Sequence, residues 1–139
     1  MNNIEILLSI YPYYNDLIKI KKKNFEFRSW DIKFDSEYLV MWVYETRPTM
    51  AIKYKMTVKH PISELCTDQE YGLGNYKFIE NIKRGMRAYE IVSFEELIKP
   101  IFLSDMRELG VNAPQGFAYI AKYPKLKHLL EKSVKFSYY

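Results

Sequence analysis

The stretch AIKYKMTVK (51–59) alternates without a break. Ile52, Tyr54, Met56 and Val58 fall on one side, and Lys53, Lys55, Thr57 and Lys59 on the other. A two-residue period of this kind suits a strand with one buried face. The run before it, YLVMWVYE (38–45), is almost wholly apolar, the pattern of a central strand. IEILLSI (4–10), NFEFRSW (24–30), MRAYEIVSF (86–94) and VKFSY (134–138) read as further strands. Short strands with few helices predict an α+β fold, a small mixed β-barrel with short flanking helices.

The helices are marked by their ends. Pro12 suits a first helical position, and Tyr13, Tyr14, Leu17, Ile18 and Lys21 recur at helical spacing, so a helix is expected over 12–22. Its end is basic, with Lys19, Lys21, Lys22 and Lys23, and cations there complement the helix dipole. Asn75 is expected to cap a helix that runs to Arg84 and stops at Gly85. Ser93 and Glu96 have capping-box spacing for a short turn before Pro100. Ser104–Leu109 reads as a short helix closed by Gly110, APQGFAYI as a segment leading into a turn or helix, and Pro124 as the start of a last helix.

At 139 residues the chain fits one domain, with no internal repeat and no linker. Hydrophobic residues reach 48%, which argues against disorder. The single Cys66 excludes an intrachain disulfide framework and fits a reducing compartment. MNNIEILLSIYP has no basic leader region, and no apolar run approaches a membrane span, so a cytoplasmic protein with no membrane partner is expected. The abundance of Lys, Ile, Asn and Tyr leans toward an AT-rich bacterial or phage genome. A net charge of +4 leans toward polyanions, and equally describes a lysine-rich solvated surface. The lysines of 51–59 carry the same two readings, a binding stripe or an edge kept polar.

The segment KKKNFEFRSW (21–30) concentrates charge against aromatic surface. Alternation sends Phe25 and Phe27 to the core, and Asn24, Glu26, Arg28 and Trp30 to the opposite face beside the lysines. Such a face would hold phosphate through Lys and Arg and stack an unpaired base on an aromatic ring. The structural alternative is a cross-strand Glu26–Arg28 ion pair with Trp30 partly in the core.

Several segments taken together resemble the ASCH domain, a member of the PUA-like β-barrel superfamily. LLSIYPYYNDLIKIKKKNFEFR resembles its opening strand, Ser, Pro and helix, followed by a Lys-x-x-Glu-x-Arg-like strand met here by Lys23, Glu26 and Arg28. YETRPTMAIKYKM resembles its second and third strands, and AYEIVSFEELIKPIFL and APQGFAYI its later strand and Pro-Gln-x-Phe segment. The resemblance covers roughly residues 4–121 and carries an expected PUA-like mixed barrel. Where many relatives have Gly two residues before the motif Lys, this chain has Lys21.

The resemblance implies a domain that binds RNA or a modified nucleotide in a basic cleft between barrel and first helix. Ser9, Lys21, Lys22, Lys23, Glu26, Arg28, Trp30, Lys53 and Lys55 are its candidate binding residues. One ASCH branch hydrolyses the acyl amide of a modified cytidine with a Lys and a Thr, and other relatives are nucleases. Glu26 stands where that branch has its Thr, so the same mechanism does not carry over; Lys23 with Glu26 beside it remains the candidate catalytic pair. A protein-binding inhibitor or adaptor of phage type is a third class. No cofactor is implied. His60, His128 and one Cys make a zinc site improbable, and GLGN (72–75) lacks a phosphate-loop pattern. The basic KLKHLLEK (125–132) is expected to pack on the barrel.

Overall fold

The computed structural model describes residues 3–64, 72, 74, 75 and 85–139. Its elements are β1 (Glu5–Ile10), α1 (Pro12–Lys19), β2 (Phe25–Arg28), β3 (Leu39–Glu45), β4 (Ala51–Val58), β5 (Arg87–Phe102), α2 (Leu103–Glu108), β6 (Phe117–Tyr119), a 3-10 turn (Ile120–Lys122), α3 (Pro124–Lys132) and β7 (Lys135–Ser137). The strands form one seven-stranded sheet in the order β2-β5-β4-β3-β1-β6, with β7 also on β5. β1 and β3 run parallel, and the other pairs are antiparallel. The sheet is therefore mixed, and it curls into a half-barrel.

The continuous apolar character of β3 has a direct cause: both of its faces are covered. Leu39, Met41 and Val43 join Ile6, Leu8, Met56 and Phe94 inside the curl. Trp42 and Tyr44 join Leu7, Met106, Leu126 and Leu130, under residues contributed by α2 and α3. Each such buried side chain contributes roughly 1.5–3 kcal/mol. Tyr54 and Phe94 stack inside with ring centroids 4.7 Å apart. Ile52 departs from its predicted face. Register shifts between Val43 and Tyr44 on β3, and between Ile52 and Tyr54 in the β4–β5 pairing, carry it into the outer cluster, still fully buried.

Three further expectations are corrected. α1 stops at Lys19, three residues before its predicted end, and it buries Asn15 and Ile18 while Tyr13 and Tyr14 stay exposed. Ser93 and Glu96 cap nothing; they lie within the 16-residue β5. The strand continues because Tyr54 pairs with Glu96 and Ile52 with Ile101, so one residue of β4 faces four of β5. Pro100 sits in that irregularity, where its missing N–H breaks no ladder. APQGFAYI does lead into a helical turn, Ile120–Lys122, by way of the three-residue β6. Phe25 and Phe27 form a small cluster with Ala88 and Met86, apart from the main core. Residues 76–84 of the helix expected from Asn75, and the lone Cys66, lie outside the described residues.

Among the described residues, no helix is long and apolar enough to cross a membrane. Nor do three His, Cys, Asp or Glu side chains there gather as a metal site would require.

Candidate functional site

β2, at one end of the sheet order, shares no ladder with β1 and β6 at the other. Side chains join them instead. Arg28 at the end of β2 donates from Nη2 to the Ser9 carbonyl on β1, 2.9 Å away. Trp30 packs on Phe117 of β6 with centroids 4.8 Å apart. A cleft of about 640 Å³ opens at this junction, lined by the end of β1, the start of α1, β2, Thr46, Gly74 and Gln115.

Its charged floor is built on β2. Glu26 is 5% exposed and uses both carboxylate oxygens. Oε1 lies 3.5 Å from Lys23 Nζ, and Oε2 accepts from Arg28 Nε at 2.8 Å. Lys23 is 6% exposed. Its ammonium is also 5.1 Å from the Phe27 ring centre and 5.6 Å from that of Tyr14. Burial pulls the Lys23 pKa below the ordinary lysine value; Glu26 opposes this, and Arg28 adds to it weakly. Two cations against one anion leave the floor net positive.

The walls are aromatic and polar. Tyr11, Tyr13 and Tyr14 line one side, with Tyr13 64% exposed, and the Tyr14 ring lies 5.9 Å from that of Tyr11 and 5.5 Å from that of Tyr13. Pro12 explains this cluster, since it starts α1 with its first turn at the cleft mouth. Ser9 fixes the opposite rim by donating from Oγ to the Pro114 carbonyl at 2.8 Å, next to Gln115. Gly74, at φ 84, lies against Phe27; a Cβ there would come within 3.0 Å of that ring. The cleft can therefore take a flat, uncharged or anionic group, with donors below it and ring faces beside it.

No family model matches the chain, and no curated protein does so either. Solved structures do. The crystal structure of ASCH from Zymomonas mobilis superposes with a TM-score of 0.70 at 18% identity, covering 94% of this chain and 96% of that one. A tyrosine-to-phenylalanine mutant of the same protein gives 0.67 at 18% identity over 94% and 99%, and a serine-to-alanine mutant 0.67 at 18% over 94% and 96%. This chain has the ASCH-domain fold.

On that ASCH fold the motif residues come together. Ser9, Lys23, Glu26 and Arg28 all line the cleft. The other nominated residues do not. Lys21 and Lys22 stand exposed on the outer side of the turn, with the Lys21 ammonium 4.5 Å from the Tyr139 ring. Trp30 borders Arg28 at 5.7 Å but packs at a tilt on Tyr89 and Phe117, so its ring is half-buried structure. Lys53 turns to the buried Glu45, 3.6 Å away. Lys55 lies over Trp42 at 5.4 Å, beside a separate depression that includes Lys135.

Tyr11, Tyr13, Tyr14, Thr46 and Gln115 were not among the nominated residues. A helical period predicts a core face for Tyr13 and Tyr14, and only the exposed first turn reverses it. Glu45 was missed as well. It accepts from Asn15 Nδ2 at 3.1 Å and from the Thr49 hydroxyl, and it holds α1 against the end of β3. Its one legible signal is a carboxylate closing an otherwise apolar strand.

Proposed function

We propose that residues 1–139 act as one ASCH-type unit in the cytoplasm, binding single-stranded RNA or a nucleotide in the Lys23–Glu26–Arg28 cleft. The observation that carries this reading is the joint placement of a net-positive, buried ion triad and three exposed tyrosine rings around one opening. Its volume is in the range of small-molecule sites and far too small for a duplex. The rings offer stacking, the cations offer phosphate contact, and together they suit an unpaired nucleotide. The ASCH fold supports the reading at the level of architecture.

A second reading, hydrolysis of a nucleoside or RNA bond, is favoured by one further fact. Lys23 has a lowered pKa and touches the cleft, so more of it is free amine near neutral pH than of a surface lysine. It can then take a proton, with Glu26 holding it in place.

The test is titration of labelled single-stranded RNA and of nucleotides into wild type and Lys23→Met, with products separated by chromatography. Binding by wild type that Lys23→Met loses supports the cleft. No binding by wild type at low salt ends both readings.

A further inference from the structure

The turn from α1 to β2 places a lysine where glycine is usual. Lys21 has φ 61, in the left-handed region that disfavours a Cβ. Lys22 N–H bonds the Leu17 carbonyl at 2.9 Å and Lys21 N–H the Ile18 carbonyl at 3.1 Å. This paired closure ends many helices, and the residue after the left-handed one commonly packs an apolar side chain back onto the last turn. Here that residue is the exposed Lys22.

Tyr139 supplies the missing contact from far along the chain. Its hydroxyl donates to the Ile18 carbonyl at 2.7 Å, the same carbonyl that Lys21 N–H uses. Its ring lies 4.5 Å from the Lys21 ammonium and packs on the main core. Its own carbonyl accepts from Phe94 N–H on β5 at 3.0 Å. Burial pushes the Tyr139 hydroxyl up to about 12, so it remains a donor at neutral pH.

The cleft amine hangs directly on this turn. Lys23 N–H bonds the Leu17 carbonyl at 3.2 Å, after which the side chain runs inward to Glu26. The groups facing that amine are Glu26, Arg28 and the Phe27 ring from β2 and the Tyr14 ring from α1. We propose that Tyr139 is a positioning residue for the Lys23 amine, acting through the left-handed turn at Lys21. The role gains its functional meaning from the cleft reading above; its structural part stands without any ligand.

The experiment follows the Lys23 side-chain ¹³Cε resonance against pH in ligand-free wild type, Tyr139→Phe, Lys21→Gly and the double variant, with Lys23→Arg for assignment. Tyr139→Phe should loosen the turn, hydrate the amine and move its titration up toward the ordinary lysine value. Lys21→Gly removes the strain, so alone it should leave the titration unchanged, and in the double variant it should restore it. A Tyr139→Phe protein that melts earlier with an unshifted Lys23 titration overturns the proposal, as does a double variant that is not restored. If Tyr139→Phe alone does not fold, Lys21→Gly is compared with the double variant, and a difference in Lys23 titration between those two overturns it. Nucleotide affinity, measured beside the titrations, should fall about 2–10-fold in Tyr139→Phe. A shifted Lys23 with no nucleotide bound by any protein supports the positioning role and removes the binding function instead.

Discussion

Arg28 reaches from β2 to the backbone carbonyl of Ser9 on β1, and this 2.9 Å bond ties together two strands that share no ladder. Arg28 is thus part of the frame as well as of the cleft. Arg28→Ala removes the donor to Ser9 and leaves the buried Glu26 with Lys23 alone. The expected loss is about 1.5–3 kcal/mol, more than an exposed cross-strand pair would give. Urea unfolding of the two proteins measures it. Arg28→Lys should recover only part, because an ammonium lacks the fork that serves Glu26 and Ser9 together.

Lys23→Met should behave differently. The stem is kept, Glu26 retains Arg28, and the cost of burying an ammonium disappears, so stability near neutral pH should stay within about 1 kcal/mol. Nucleotide binding should be lost. Calorimetric titration beside a thermal melt separates the two effects.

The same pair gives a pH test. The folded-state pKa of Lys23 lies below that of the unfolded chain, so between the two values the unfolded state binds more protons. Stability therefore rises with pH from the lowered folded pKa up to the ordinary value near 10.5, and this gain should be absent from Lys23→Met. Tyr138 and Tyr139 act oppositely. Burial raises both to about 12, so their contribution is present below the ordinary tyrosine pKa near 10 and is lost as pH climbs from there toward 12. Denaturation at a series of alkaline pH values, taken as the difference between wild type and Lys23→Met, isolates the lysine.

Tyr13→Ala should leave stability almost unchanged, since the ring is largely in solvent. If it stacks on a base, affinity for single-stranded RNA should fall by about 1–3 kcal/mol. Equal affinity of wild type and Tyr13→Ala would remove that ring from the interface.

Glu45→Gln should cost about 1–3 kcal/mol. The carboxylate accepts from Asn15 and Thr49 and faces Lys53, and an amide replaces one acceptor with a donor. Guanidinium unfolding checks it. The loss should be accompanied by loosening of α1, visible as faster amide exchange at Asn15 and Ile18.

Strands were legible wherever one rule governed a segment. Alternation located β2 and β4, and uninterrupted apolar residues located β3. The failures came where tertiary contacts overrule local signals. Pro100 reads as a boundary, yet a bulge lets β5 run through it. The lysines of 19–23 are alike in sequence, and only the left-handed turn selects Lys23 to be buried while Lys21 and Lys22 stay outside. Lys53 and Lys55 were grouped by spacing, but they serve Glu45 and Trp42 on different sides of the sheet. The Lys23–Glu26–Arg28 spacing did identify the ion triad. The tyrosines that wall it did not show, because helical periodicity says nothing about whether a first turn is covered.

β1 lies between β3 and β6, so both of its ladders depend on segments that emerge later in the chain. Its parallel pairing with β3 has to wait for α1 and β2 to cross over, and Leu8 meets Phe117 only once the chain has been made as far as β6. Pairings so far apart in sequence slow folding relative to a helical bundle of the same size. They also make β1 a late keystone: its central amides should exchange with solvent only through global unfolding, while the short β7 opens locally.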